Sequence, residues 1–259
     1  MTQRERRIFL IRYLLDETDV YHGMSIPRKE TEQRIMLRGL MNIRPANPVS
    51  EEFLSVQDEY LRNEISAKGI TDIDSLTPVT KDNLYLWRGD ITTLRVGAIV
   101  NAANSGMTGC WQSNHACIDN CIHTFAGVQL RQECDEIMRQ QGYEEPTGQA
   151  KITGAYNLPS DYVIHTVGPI ISGGLTRQHC ELLASCYRSC LDIAQANNIK
   201  SIAFCCISTG VFHFPNERAA EIAVDTVRMW LAEHNYDIKV MFNVFGQNDE
   251  AIYRRVFNI

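Results

Sequence analysis

An α/β fold of three layers (α/β/α), with a mixed and mostly parallel central sheet behind a small helical N-terminal segment, is what this 259-residue sequence predicts. Three observations carry the expectation. Apolar residues recur at helical spacing through residues 1–80. Over residues 81–259, short strand-like runs alternate with longer amphipathic stretches, as a sheet and its covering helices require. The residue types suited to chemistry gather in segments that follow those runs, where ligands sit on such folds.

Taken in order, Arg4 to Thr18 places Ile8, Ile11, Leu14 and Leu15 at helical spacing. Pro27 suits the first turn of a second helix, with Ile35, Met36, Leu37, Leu40 and Met41 as its apolar stripe. Pro45 and Pro48 end that helix, and Glu51 to Ala67 forms a third. Asp72 to Lys81 reads as a short polar connection. Leu84–Trp87 and Ala98–Val100 read as strands, Asp119–Gln140 as a helix, and Tyr162–Val167 as a strand. Leu182–Asn197 is a helix, Ser201–Cys206 a strand, Glu217–His234 a long helix, Lys239–Phe245 a strand, and Asp249–Phe257 a final helix.

Composition narrows the function classes. Hydrophobic content of 44% with 22% charged residues is ordinary for a soluble globular chain. A net charge of −6 argues against charge-driven nucleic-acid binding. No apolar run approaches the roughly 20 residues that span a bilayer, and the charged start lacks a signal-peptide core. The expectation is a cytoplasmic protein with neither nucleic acid nor membrane as a partner. The nine cysteines are odd in number and absent before Cys110, which suits thiols in a reducing compartment. Cys186 and Cys190, one helical turn apart, read as core, as do Cys205 and Cys206 in a strand-like run.

Four loops hold the candidate chemistry. In the second, Cys110-x4-His115-x-Cys117 brings two thiolates and an imidazole within reach of one tetrahedral metal, with a fourth position left for water or substrate. Two other readings stand beside this one: buried thiols with a surface histidine, or a structural zinc completed by Cys121. In the third, Ser208-Thr209-Gly210 precedes a helix, and its backbone N–H groups can cradle a diphosphate. Asp90, after the first strand, can accept from an exocyclic amine, and Phe245, at the end of the last, can stack on a base. For Phe245 the alternative is simple packing. Asp119 also reads as a helix N-cap. His123 and His165 lie in apolar runs and read as satisfied core histidines, whereas His213 sits among the phosphate-cradling residues.

Together these motifs match a family in order and spacing. Leu86-Trp-Arg-Gly-Asp-Ile-Thr92, Ala98-Ile-Val-Asn-Ala-Ala-Asn104, Thr147-Gly-Gln-Ala-Lys-Ile-Thr153, Tyr162-Val-Ile-His-Thr-Val-Gly-Pro169 and Ile207-Ser-Thr-Gly-Val-Phe-His-Phe-Pro215 resemble a macrodomain of the MacroD type. The resemblance covers residues 84–257. It departs from the family between Asn104 and Ile122, where a glycine-rich loop ending in Val-Asp-Gly is replaced by a longer loop carrying Cys110, His115 and Cys117. In this the chain resembles the zinc-dependent macrodomains of bacteria and fungi, which also carry an N-terminal helical extension.

The resemblance implies ADP-ribose as ligand, one Zn2+ per chain on Cys110, His115 and Cys117, and removal of mono-ADP-ribose from Asp or Glu side chains of modified proteins. It implies that Asp90 and Ile91 hold the adenine and that Phe245 stacks on it. Ser208, Thr209, Gly210, Val211 and Phe212 would hold the diphosphate. Asn101 and Asn104 would face the distal ribose, and Asp119, with Asn104, would serve the reacting end. It also implies a lipoate carrier protein as a target. A non-catalytic ADP-ribose reader and an O-acetyl-ADP-ribose deacetylase are the alternatives. Asp119 and the open coordination position argue for hydrolysis, since a reader needs neither.

Overall fold

The computed structural model describes every residue of the chain except His22. Helix α1 (Gln3–Asp16) opens with Thr2 as N-cap in a capping box with Glu5. Helix α2 (Glu30–Ile43) begins after Lys29, not at Pro27, whose carbonyl instead accepts from the Gln33 side chain at 2.8 Å. Helix α3 (Glu51–Lys68) is capped by Ser50 and closed by Gly69. Leu10, Ile11, Leu14, Leu37, Leu40, Phe53, Tyr60 and Leu61 form one apolar cluster between these helices, and Val128 from the following domain joins it.

The expected polar connection contains a strand. There β1 (Thr71–Asp72) pairs in parallel with β3 (Leu94–Arg95). The main sheet is built from β2 (Leu84–Arg88), β4 (Ala98–Ala103), β5 (Ala150–Gly154), β6 (Tyr162–Val167), β7 (Ser201–Phe204) and β8 (Lys239–Val244). Their order is β2-β8-β7-β4-β6-β5; every neighbouring pair is parallel except β5 with β6. The sheet is therefore mixed and mostly parallel. The antiparallel edge strand β5 has a burial pattern that does not alternate cleanly, which hides it from periodicity.

Helices cover both faces. The stretch expected as one helix is two, α4 (Ile118–Ala126) and α5 (Val128–Gln141). The break is Gly127, whose φ of +101° is open to glycine and costly for other residues. A Cβ there would meet the Gln57 and Gln129 side chains, both at 2.6 Å. Helices α6 (Arg177–Ala196), α7 (Asn216–His234) and α8 (Gln247–Phe257) complete the layers around a core that includes Val100, Ile164, Ile202, Tyr187, Phe204, Phe242 and Trp230.

Candidate active site

Parallel pairing puts the carboxyl ends of β2, β8, β7 and β4 along one edge of the sheet. Asp90 follows β2, Phe245 follows β8, Ser208 to Phe212 follow β7, and Asn104 follows β4. The topology thus collects all four candidate loops at the place where such folds bind ligands.

At the β4 end, Asn101 is fully buried and Asp119 is 5% exposed, so both are held by the protein interior. The Asn101 amide donates to Asp119 Oδ1 at 2.8 Å, and the Asn104 amide reaches Oδ2 at 3.3 Å. Burial pushes the Asp119 carboxyl up to about 6, against the pull of those two amides and the positive field of Arg131. Asp119 does not cap its helix: Cys117 is the N-cap of α4, its sulfur accepting from the Asn120 N–H at 3.4 Å.

Cys110, His115 and Cys117 converge. Their ligand atoms lie within 4.8 Å of one another, with Cys110 Sγ at 3.6 Å from His115 Nδ1. Two sulfurs and an imidazole are a zinc-type donor set. Burial, with Cys110 alongside, pushes the Cys117 thiol up to about 12. Cys121 is not of this group; its sulfur instead accepts from Arg38 Nη2 at 3.4 Å. A second buried trio, His123, Cys134 and His165, meets the same distance criterion. There both nitrogens of His165 are engaged, Nδ1 with the Asn101 amide at 3.0 Å and Nε2 with Thr153 Oγ1 at 2.9 Å. His165 is thus a satisfied core histidine, whereas neither ring nitrogen of His123 has a hydrogen-bond partner among the described residues.

In the β7 loop, Ser208 has a left-handed φ of +65° and His213 one of +57°. The amides of Ser208, Gly210, Val211 and Phe212 donate to nothing among the described residues, leaving a nest of free N–H groups. Val211 and His213 are exposed. At the far end, Phe245 is 79% exposed, which rules out simple packing. Asp90 Oδ1 accepts from the Thr92 N–H and hydroxyl, and Oδ2 accepts from Lys68 Nζ of α3 at 2.9 Å. Ile91 is buried beside it.

Several side chains at the site were not singled out in the sequence. Arg131 is 5% exposed and donates to the carbonyls of Thr108, Met41 and Arg44, while its guanidinium lies 4.3 Å from the Trp111 ring. Arg38, Asn42 and Lys68 reach the site from the N-terminal helices. For Arg131 the available signal was a charged residue next to Leu130 and three before Cys134, both core positions.

Residues 100–223 match the model of the Macro domain family. A protein-ADP-ribose hydrolase of Treponema medium is 63% identical over the whole of both chains. Fold, site and full-length similarity agree: the chain belongs to the macro domain family. A second relative, a protein-ADP-ribose hydrolase of Staphylococcus aureus, is 54% identical over 99% of this chain and 97% of its own. Among solved structures, a mutant Oceanobacillus iheyensis macrodomain with ADPR superimposes with a TM-score of 0.63 at 38% identity, covering 69% of this chain and 94% of that one.

Proposed function

We propose that this chain is a protein-ADP-ribose hydrolase that releases ADP-ribose from mono-ADP-ribosylated protein, and that it does so with one zinc held by Cys110, His115 and Cys117. One observation carries the reading: the loop from Asn104 to Asp119 places a zinc-type donor trio beside a buried carboxylate held by two amides. Full-length relatives that bear the hydrolase name support the activity. A macrodomain solved with ADPR supports the ligand.

Each part of the ligand has a matching surface. Phe245 offers an exposed ring to the adenine, and Asp90 and Ile91 border it. The free amides from Ser208 to Phe212, with Thr209 and Gly210 between, suit a diphosphate because fixed N–H dipoles replace its hydration at no reorganisation cost. Asn101 is too buried to meet ligand and orients Asp119; Asn104, half-buried, is the amide able to reach a ribose hydroxyl. Asp119 accepts a proton from, or orients, the group attacking the scissile carbon. Bound zinc would supply a Lewis acid, hold both thiols as thiolates and lower the pKa of a bound water.

The attachment is placed at Asp or Glu, with a lipoate carrier protein as target, on the family resemblance. A cytoplasmic setting is supported by nine free cysteines; no helix of the described residues is long and apolar enough to cross a membrane. The test couples metal to turnover in one preparation. Zinc is quantified, and ADP-ribose release from a modified lipoyl carrier and an unrelated modified protein is followed before chelation, after it, and after zinc is restored. One zinc per chain, with release that stops and restarts, is expected. Persistent release after metal loss removes zinc from the mechanism, and tight ADP-ribose binding without release makes the protein a reader.

A further inference from the structure

Three points along one turn of α2, Arg38, Gly39 and Asn42, meet the loop that carries Cys110, His115 and Cys117. Arg38 Nη2 donates to the backbone carbonyl of His115 at 2.8 Å, to Asn120 Oδ1 at 2.9 Å and to Cys121 Sγ at 3.4 Å. One turn on, Asn42 Oδ1 accepts from the Asn114 N–H at 3.0 Å, and its amide donates to Thr124 Oγ1 at 2.9 Å. Between them Gly39 has no side chain; a Cβ there would lie 2.7 Å from Ser113 Oγ and 2.8 Å from Asn114 Nδ2.

What α2 grips is a segment without regular structure, tied elsewhere by the Asn120 side chain and, at Trp111, by Thr108 and Arg131. Residues 111–114 are exposed and lie outside any helix or strand. Asn114 sits at φ +55°, a left-handed turn conformation open to asparagine, and Asn42 Oδ1 ties down its N–H at 3.0 Å. The Asn120 amide adds a strut to the Gln112 carbonyl at 2.9 Å, and Asn120 is itself held by Arg38. The anchor behind α2 is firm: Asn42 is 1% exposed, and Leu37, Leu40 and Met41 lie in the core shared by α1 and α3.

We propose that α2 is part of the metal site, with Arg38 and Asn42 as positioning residues that hold the Cys110–Cys117 loop in the shape in which its two sulfurs and imidazole converge. The proposal rests on the zinc reading and extends it, because it makes the N-terminal helices a working element of the site. Ligands on an irregular loop must otherwise be ordered at the expense of binding, and groups that orient a ligand from behind remove that cost. Arg38 also explains why Cys121 stays out of the trio, since its sulfur is drawn to the guanidinium.

The test uses the full-length protein and the variants Arg38→Ala, Arg38→Lys, Asn42→Ala and Arg62→Ala. The last truncates an exposed α3 arginine that, among the described residues, forms one ion pair, with Asp58 at 3.9 Å, and no bond to the loop. Zinc affinity is measured by competition with a chromogenic chelator, and backbone amide exchange across residues 110–117 is measured on metal-free protein. Arg38→Ala is expected to weaken zinc binding by about 10- to 100-fold, the range for groups that orient metal ligands. Arg38→Lys and Asn42→Ala should weaken it less, and Arg62→Ala should leave it unchanged. Exchange across 110–117 should quicken in the Arg38 and Asn42 variants alone. Wild-type affinity and exchange in those variants would overturn the proposal. If the wild type takes up no zinc, the zinc reading fails by itself, and unchanged loop exchange then overturns the clamp as well. Should Arg38→Ala not fold, Arg38→Lys and Asn42→Ala carry the same comparison.

Discussion

Asp119 is a carboxylate in the interior with two neutral amides as its direct donors. Its role predicts that Asp119→Ala keeps zinc and loses about 10²- to 10⁴-fold in turnover, the usual yield of a positioned acid or base; single-turnover ADP-ribose release with metal analysis checks both. Unchanged turnover would remove it from the mechanism. Next to it, burial holds His165 down at about 3, so this histidine stays neutral and its Nδ1 accepts from Asn101. A folded-state value below the unfolded one of about 6.5 gives stability that is full above pH 6.5 and lost as the pH falls toward 3. Between pH 7 and 5 the loss from this group is about 2 kcal/mol. Asp119, raised by burial, works in the opposite sense over the same window. The His165→Asn variant isolates the histidine, because its carbonyl can replace Nδ1. Denaturant unfolding should show the variant losing about 2 kcal/mol less than wild type on going from pH 7 to 5; equal losses would show that His165 does not stay neutral.

Among the elements, the turn between α4 and α5 decides where the site residues face. A continuous helix from Asp119 to Gln140 would send Arg131 and Cys134 in directions set by Asp119. The glycine at 127 resets the direction, and Arg131 then reaches back to the Thr108 carbonyl under the metal loop. Gly127→Ala should lower stability by about 1–3 kcal/mol, the cost of a non-glycine residue in a sparsely allowed backbone region, increased by the crowding of Gln57 and Gln129. Thermal unfolding measures it, and a variant as stable as wild type would show that the break tolerates a side chain. The α4–α5 break and edge strand β5 were the elements least legible in the sequence. One depends on a single φ, and the other is an edge strand whose burial does not alternate although it pairs with the very next strand.

For the whole molecule, the N-terminal helices and the α/β layers share interior surface. Val128 of α5 lies in the helical cluster, and buried Arg131 donates to the carbonyls of Met41 and Arg44. A chain cut to residues 81–259 should therefore unfold at lower temperature and lose the shape of the metal loop. Calorimetry beside a zinc titration tests this, and a truncated chain that matches full length in both would show two independent units. The strand and helix alternation, the four loops and the Cys110-His115-Cys117 spacing were all readable from order along the chain, because period and local motif are properties of neighbouring residues. That order alone placed Asp90, Asn104 and Ser208 in loops after strands, Phe245 at the end of the last strand and Asp119 at the start of a helix. Only the tertiary structure decided that Asn101 faces inward to Asp119, that Cys117 and not Asp119 caps α4, and that Arg38, Asn42 and Lys68 reach the site from helices far away in sequence. The contacts of Arg38 and Asn42 join residues more than 70 positions apart, and such pairings are set by which faces pack against each other, a choice no local pattern encodes.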